Sequence, residues 1–217
     1  MSQQQDNNKR IAKNTLFLYL RQIFVMVVAL YTSRVVLATL GVIDYGIYNV
    51  VGGVVAMFSF INASMTTSTQ RFLTFELGKK DYKQLAKVFA ASLNVHYTIG
   101  IVVVVLAETI GLWFLNYKLN IPAARMTAAN WVYQCSVLSF FLSITQVPYN
   151  ALIVSHEKMN IFAYFSIIDV VLKLAIVYLL VISTFDKLIF YAILILAVTS
   201  FSRMLYRVYC RKHFTEC

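Results

Sequence analysis

Residues 45–70, 88–107 and 126–156 each run for twenty residues or more without a single Asp, Glu, Lys or Arg. A hydrocarbon layer of ~30 Å is crossed by ~20 helical residues rising ~1.5 Å each, so every one of these stretches can span a bilayer. A soluble domain of this length has no interior large enough to hide them. Composition agrees: 60% of the 217 residues are hydrophobic and 13% are charged, where a soluble domain has about a quarter charged. The apolar residues come in blocks rather than one-faced stripes. That pattern belongs to an all-α, polytopic membrane protein.

Three further segments complete the set. Residues 14–37 are apolar except for Arg21 and Arg34, 160–183 except for Asp169 and Lys173, and 188–205 except for Arg203. Six transmembrane helices are therefore expected, near 14–37, 43–66, 88–113, 128–153, 160–183 and 188–205. Together they make one bundle over 14–208, between a basic N-terminal segment (1–13) and a tail (209–217). Short turns are expected at 38–42 and 184–187, and a loop containing Pro122 at 116–125. The basic stretch 71–87 is broken by Gly78, and its later part reads as a short surface helix. The first apolar block is too long for a signal-peptide core and lacks a small-residue cleavage site, so no cleaved leader is expected.

Orientation follows from Lys and Arg. Lys9, Arg10, Lys13, Arg71, Lys79, Lys80, Lys83, Lys87, Lys158, Arg203, Arg207, Arg211 and Lys212 fall at one end of the spans, thirteen in all. Arg34, Lys118, Arg125 and Lys187 fall at the other, and Arg21 and Lys173 lie within spans. This excess predicts cytoplasmic termini, and an even number of spans agrees. Trp113, Phe114, Tyr117, Trp131 and Tyr133 flank the third and fourth spans at the outer end, as an aromatic belt should. The net charge of +10 thus reports topology and not a nucleic-acid partner.

Charges inside the spans carry the functional signal. An ionisable residue near the bilayer centre costs about 2.5–3.5 kcal/mol on insertion scales, so Arg21, Asp169 and Lys173 must face protein or water. Asp169 and Lys173 are four apart on one helical face, with Ser166 one turn before them. They read as an internal bridge or as a functional pair, with Asp169 the candidate carboxylate for ion coupling. Arg21 has no acidic residue at helical spacing, and a guanidinium fork facing a cavity matches phosphate oxygens. Arg21, Lys173 and Arg34 are the substrate-binding candidates, although Arg34 and Asp44 are also placed to pair with each other at the outer ends of the first two spans.

Other polar features point to a cavity less directly. Gly46, Gly52, Gly53, Ala56, Ser59 and Ala63 give the second span a small face for close packing, and it ends in a polar run over 62–70. Pro148, near Gln146 and Asn150, is expected to kink the fourth span. Glu108 sits towards the outer interface, where a carboxylate is solvated. His96 reads as a buried, hydrogen-bonded histidine before it reads as a proton relay. Cys210, His213 and Cys217 lack a fourth ligand and a paired CxxC, so no metal is expected. With no Walker motif no ATP hydrolysis is expected, and the loops are too short for the acidic motifs of a membrane glycosyltransferase, so no enzyme activity or cofactor is expected.

Certain runs resemble a family. Residues 40–48 read LGVIDYGIY after a first span carrying Arg34. Gln70, Arg71, Phe72 and Leu73 lead to Glu76, Leu77 and Gly78. Pro148, Tyr149, Asn150 and Ala151 are followed by His156, Glu157, Lys158 and Met159. In order and spacing, from about Ile11 onward, these pieces resemble the bacterial polysaccharide-export flippases. These are Wzx-type O-antigen or capsule translocases of the multidrug, oligosaccharidyl-lipid and polysaccharide exporter superfamily.

The resemblance implies a MATE-like fold and movement of undecaprenyl-diphosphate-linked oligosaccharide across the bacterial inner membrane, for polysaccharide or lipopolysaccharide biosynthesis. It also implies alternating access between two six-helix bundles around a cationic cavity. One bundle is expected here, so the chain reads as an N-terminal half or as a unit that pairs with a second copy. The partners so implied are the lipid-linked oligosaccharide, membrane lipids, and a second six-helix bundle or a homodimer mate. Two alternatives stay open. A multidrug or cation antiporter would favour acidic cavity residues, against which Arg21 stands. A transport-inactive half would serve as a membrane interaction module.

Overall fold

The computed structural model describes the backbone of residues 2–217 and the side chains from Thr15 onward, so the side chains of Lys9, Arg10 and Lys13 lie outside what is described. Every element among the described residues is helical. In chain order these are α1 (Ser2–Ala56), α2 (Ser59–Lys79), α3 (Tyr82–Leu106), a π-helical turn (Ala107–Gly111), α4 (Leu112–Tyr117), a 3-10 turn (Ala123–Arg125), α5 (Met126–Ser155), α6 (Met159–Ile182) and α7 (Lys187–His213). Five runs are long and apolar enough to cross a membrane: Thr15–Ala56, Tyr82–Tyr117, Ala123–Ser155, Met159–Ile182 and Lys187–His213.

The first run is two limbs folded at one residue. Gly41 takes φ 78° and ψ 168°, a backbone region strained for any residue with a Cβ. The expected five-residue turn is thus a single-residue reversal. Side-chain pairings fix the directions. Arg21 lies beside Ser166 and Tyr31 beside Tyr178, so the first limb runs with α6. Beyond Gly41, Tyr48 packs on Tyr191, Phe58 on Phe140, and Thr74 bonds to Ser155. The second limb and α2 therefore run the opposite way, alongside α5 and α7. The chain passes through the bundle six times.

At the centre stands α5. Sixteen of its 30 residues are buried, against four of 24 in α6, because α5 touches the other long helices all round. Its helical hydrogen bonding continues on both sides of Pro148.

The expected surface helix in the basic stretch is replaced by a tight helical hairpin. α2 runs through Gly78 to Lys79, Lys80 turns left-handed (φ 59°), and Asp81 caps α3 by accepting from the Gln84 N–H at 2.9 Å. A single glycine costs a helix only about 1 kcal/mol, and buried Leu73 with Leu77 holds the end of α2 in place. At this basic end His156 stacks on Phe214 (4.3 Å) and bonds to Glu216 (2.8 Å). Burial works to raise the Glu216 carboxyl. Its own backbone N–H, His156 and Thr215 outweigh that and hold it below the usual carboxylate range.

The opposite end corrects another expectation. Asp44 pairs with Arg125, whose Nε donates at 2.8 Å, and Arg125 also reaches Asp186 at 2.6 Å. Arg34 is exposed and makes no ion pair among the described residues. The cause is helical phase: Val36 and Leu40 point into the core, and Arg34, two residues from Val36, lies on the opposite side.

Outside, the bundle is oily. Leu20, Ile23, Val27, Leu30, Val105, Ile110, Trp113, Tyr117, Trp131 and Ile182 are all exposed. A surface so continuously apolar is tolerated by lipid and not by water, so the chain is a membrane protein. Trp113, Phe114, Tyr117 and Trp131 are exposed as a belt requires, but Tyr133 is fully buried. It donates to the Ala107 carbonyl at 2.7 Å.

Candidate functional site

Polar residues in the spans converge on one space. A cavity of about 540 Å³ lies between the first limb of α1, α2, α5, α6 and α7. Twelve of its sixteen lining residues are polar, inside a bundle whose exterior is apolar. α1 contributes Arg21. α2 contributes Ser59 and Asn62, and α5 contributes Ser139, Ser143 and Gln146. α6 contributes Ser166, Asp169 and Lys173, and α7 contributes Thr199, Ser202 and Tyr206. Ser166 lies ~10 Å along α6 and Lys173 ~21 Å, so the site extends ~10 Å along the helix axis.

The charges differ in how well they are satisfied. Lys173 Nζ meets Asp169 at 2.8 Å, and the Ser202 hydroxyl donates to the other Asp169 oxygen at 2.8 Å. Arg21 has no carboxylate partner among the described residues. Its Nη1 donates to Ser166 at 3.1 Å, its Nη2 to Gln22 at 3.2 Å, and its guanidinium lies 4.7 Å over the Phe162 ring. Arg21 Nε is buried without a partner, as is Asn62 Oδ1 on the facing helix. The cavity is thus lined by one positive charge without a carboxylate, and two polar atoms sealed within the residues of its wall lack partners. Buried groups of this kind are costly unless something meets them.

No known family, curated protein or solved structure matches this chain. The functional reading rests on the residues of the site itself.

Of the candidates read from sequence, Arg21, Asp169 and Lys173 come together in this cavity, joined by Ser166. Arg34 does not: it is exposed, towards the end of the bundle opposite the basic one. Glu108 is exposed and accepts from Gln134 at 3.1 Å. His96 is buried beside a separate space of about 420 Å³ between α2 and α3, its Nδ1 on the Ser92 carbonyl at 2.7 Å. Cys210 is turned to the Tyr149 carbonyl and His213 stacks on Tyr209. Among the described residues no three His, Cys, Asp or Glu converge on one point.

The contribution of α5 and α7 was not foreseen. Ser139, Ser143 and Gln146 follow one another at four and three residues, and Thr199, Ser202 and Tyr206 at three and four. Both are one-faced helical stripes. Uncharged and scattered among apolar residues, they carry no penalty large enough to be noticed one at a time.

Proposed function

We propose that this bundle handles an anionic, glycan-bearing lipid: that it is the substrate-binding part of a flippase for undecaprenyl-diphosphate-linked oligosaccharide, with a MATE-like architecture. The observation that carries the reading is the pairing, in one cavity of an otherwise apolar bundle, of an arginine without a carboxylate and a wall of hydroxyls and amides. A guanidinium fork suits a diphosphate. Hydroxyl and amide groups suit sugar hydroxyls, which hydrocarbon cannot accept without compensation. Asp169, already held by Lys173 and Ser202, is the candidate for ion coupling, because Lys173 turning to an arriving phosphate would release it to bind a proton or cation. A second six-helix bundle, in the same polypeptide or a second copy, would close the site and rock against this one. The basic end of the bundle would face the cytoplasm of a bacterial inner membrane.

A cation antiporter is less favoured, since the one cavity carboxylate is neutralised by its lysine neighbour. The deciding test is export in cells lacking their own flippase. Arg21→Ala and Lys173→Ala should each abolish glycan export while membrane insertion, followed by protease protection, stays normal. Normal export by both variants would remove the cationic receptor and with it the proposed function.

A further inference from the structure

Three arginines run along one side of α7. Arg203, Arg207 and Arg211 recur one helical turn apart, so they stack over about 12 Å of helix. None meets a carboxylate among the described residues. Arg203 is the deepest, about 15 Å inside the basic end of its span. There its Nη2 donates to the Tyr97 hydroxyl of α3 at 2.5 Å, and the guanidinium lies 5.8 Å over the same ring. Arg203 is half-buried, whereas Arg207 and Arg211 are exposed, and the charges of both reach the Tyr149 hydroxyl on α5.

This side of the bundle is distinct from the polar cavity. Tyr97 packs edge-on against Phe141 of α5 at 6.1 Å, and Phe141 stands nearly opposite, around α5, from the cavity residue Ser143. Towards the middle of the span, Leu138 of α5 and Ile101 of α3 continue the Phe141 and Tyr97 side by one turn each, and they are 49% and 56% exposed. The surface therefore carries cations near the basic end and bare hydrocarbon further in. A phospholipid has the same order, with its phosphate at the interface and its chains inward.

We infer that an anionic phospholipid of the leaflet at the basic end docks here, its phosphate at Arg203 and Arg207 and its chains along Leu138 and Ile101, tying α3 to α7 across α5. Tyr97 accepts from Arg203, so its own proton is left to donate to a phosphate oxygen. An arginine this far inside a span is costly unless an anion or water meets it, and basic pockets between spans take lipid phosphates. A zwitterionic headgroup would bring its own cation against the three arginines, and a soluble phosphate would leave the apolar side uncovered. The inference uses no residue of the polar cavity and stands or falls apart from the function proposed above.

The test titrates the full chain in detergent with phosphatidylglycerol and with phosphatidylcholine of the same chain length, counting bound lipid by native mass spectrometry. Phosphatidylglycerol should bind about tenfold tighter or better. Arg203→Ala should weaken it about tenfold, one charge-assisted hydrogen bond. Tyr97→Phe keeps the ring, loses the hydroxyl and should cost a smaller factor. Lys212→Ala removes an equal charge from the far side of α7 and should change nothing. Circular dichroism confirms the fold of each variant, and if Arg203→Ala fails to fold, exposed Arg207→Ala carries the same expectation. Equal losses in the Arg203 and Lys212 variants would reduce the attraction to net charge and overturn the site, as would equal binding of the two lipids. Displacement of the lipid by an equal concentration of glycerol 3-phosphate would assign the arginines to a soluble anion and overturn it too.

Discussion

Arg21 reaches from the first span to Ser166 on the fifth, Nη1 to Oγ at 3.1 Å, while its Nε stays buried without a partner. The serine orients the guanidinium, and Nη2, whose bond to Gln22 is exposed, is the edge open to a guest. The hydroxyl of Ser166 itself donates back to the Phe162 carbonyl at 2.9 Å, so its oxygen is fixed as an acceptor for the arginine. Charge and shape can then be separated by substitution. Arg21→Lys keeps the charge and loses the fork, and should weaken binding of a diphosphate lipid by about tenfold, one charge-assisted hydrogen bond. Ser166→Ala keeps the fork and loses its orientation, and should cost a smaller factor. Calorimetric titration with undecaprenyl diphosphate checks both. Equal affinity for Arg21 and Lys forms would reduce the site to a point charge.

Asp169 sets how much of the cavity charge is available. Asp169→Asn leaves Lys173 without its counter-ion, so the cavity gains a second unmatched positive charge. Binding of the anionic lipid should tighten several-fold while its export slows, because the carboxylate that competes for Lys173 is gone. Exchanging the two residues separates bridge from function. The exchanged pair is partly exposed, so stability should shift by less than about 1 kcal/mol. Export should be lost, since Ser202 would then meet a lysine. Full export by the exchanged variant would make the pair a structural bridge only.

The parts of this arrangement legible in the sequence are those with a large energetic signature. Three charges in apolar spans each cost enough to demand a cavity, and the structure brings Arg21, Asp169 and Lys173 together there. Six passages were legible for the same reason, since length and hydropathy set them. Asp44 was read as a partner for Arg34 because the two stand at the adjoining ends of the first two spans. The actual partner, Arg125, lies 81 residues away, and a reversal at Gly41 decides which side of the helix faces it. Tyr133 was read as an interface aromatic from its neighbours. Its burial depends on Gly111, in a different span.

That dependence gives a packing prediction. A Cβ at Gly111 would lie 2.0 Å from the Tyr133 hydroxyl oxygen, so the glycine makes the space through which Tyr133 reaches the Ala107 carbonyl. Gly111→Ala should destabilise the bundle by about 1–3 kcal/mol through overpacking. Tyr133→Phe should cost less, since the Ala107 carbonyl also accepts from the Leu112 N–H. In the double variant part of the cost should return, because phenylalanine removes the atom the new methyl strikes. Unfolding in detergent, followed by circular dichroism, reads all three. Additive losses would show that the contact is not shared.

At the end of the bundle opposite the basic one, Arg125 ties the start of the second span to the loop before the sixth. Asp44 is 8% exposed and receives two donors from one guanidinium, while Asp186 also caps α7 through the Leu188 N–H at 3.1 Å. Losing the arginine leaves a buried carboxylate facing no cation. Arg125→Ala should therefore destabilise the bundle by about 1.5–3 kcal/mol. Arg125→Lys should recover only part of this, since a single ammonium cannot span both carboxylates with the same fork. Arg34→Ala, at the position first expected to hold Asp44, should leave the melting temperature unchanged. The Asp44 pair is sheltered enough to be poorly screened, so the gap between Arg125→Ala and the unaltered chain should persist when ionic strength is raised. A gap that closes with salt would place the clamp among weak surface pairs and remove its role in holding the spans together at this end.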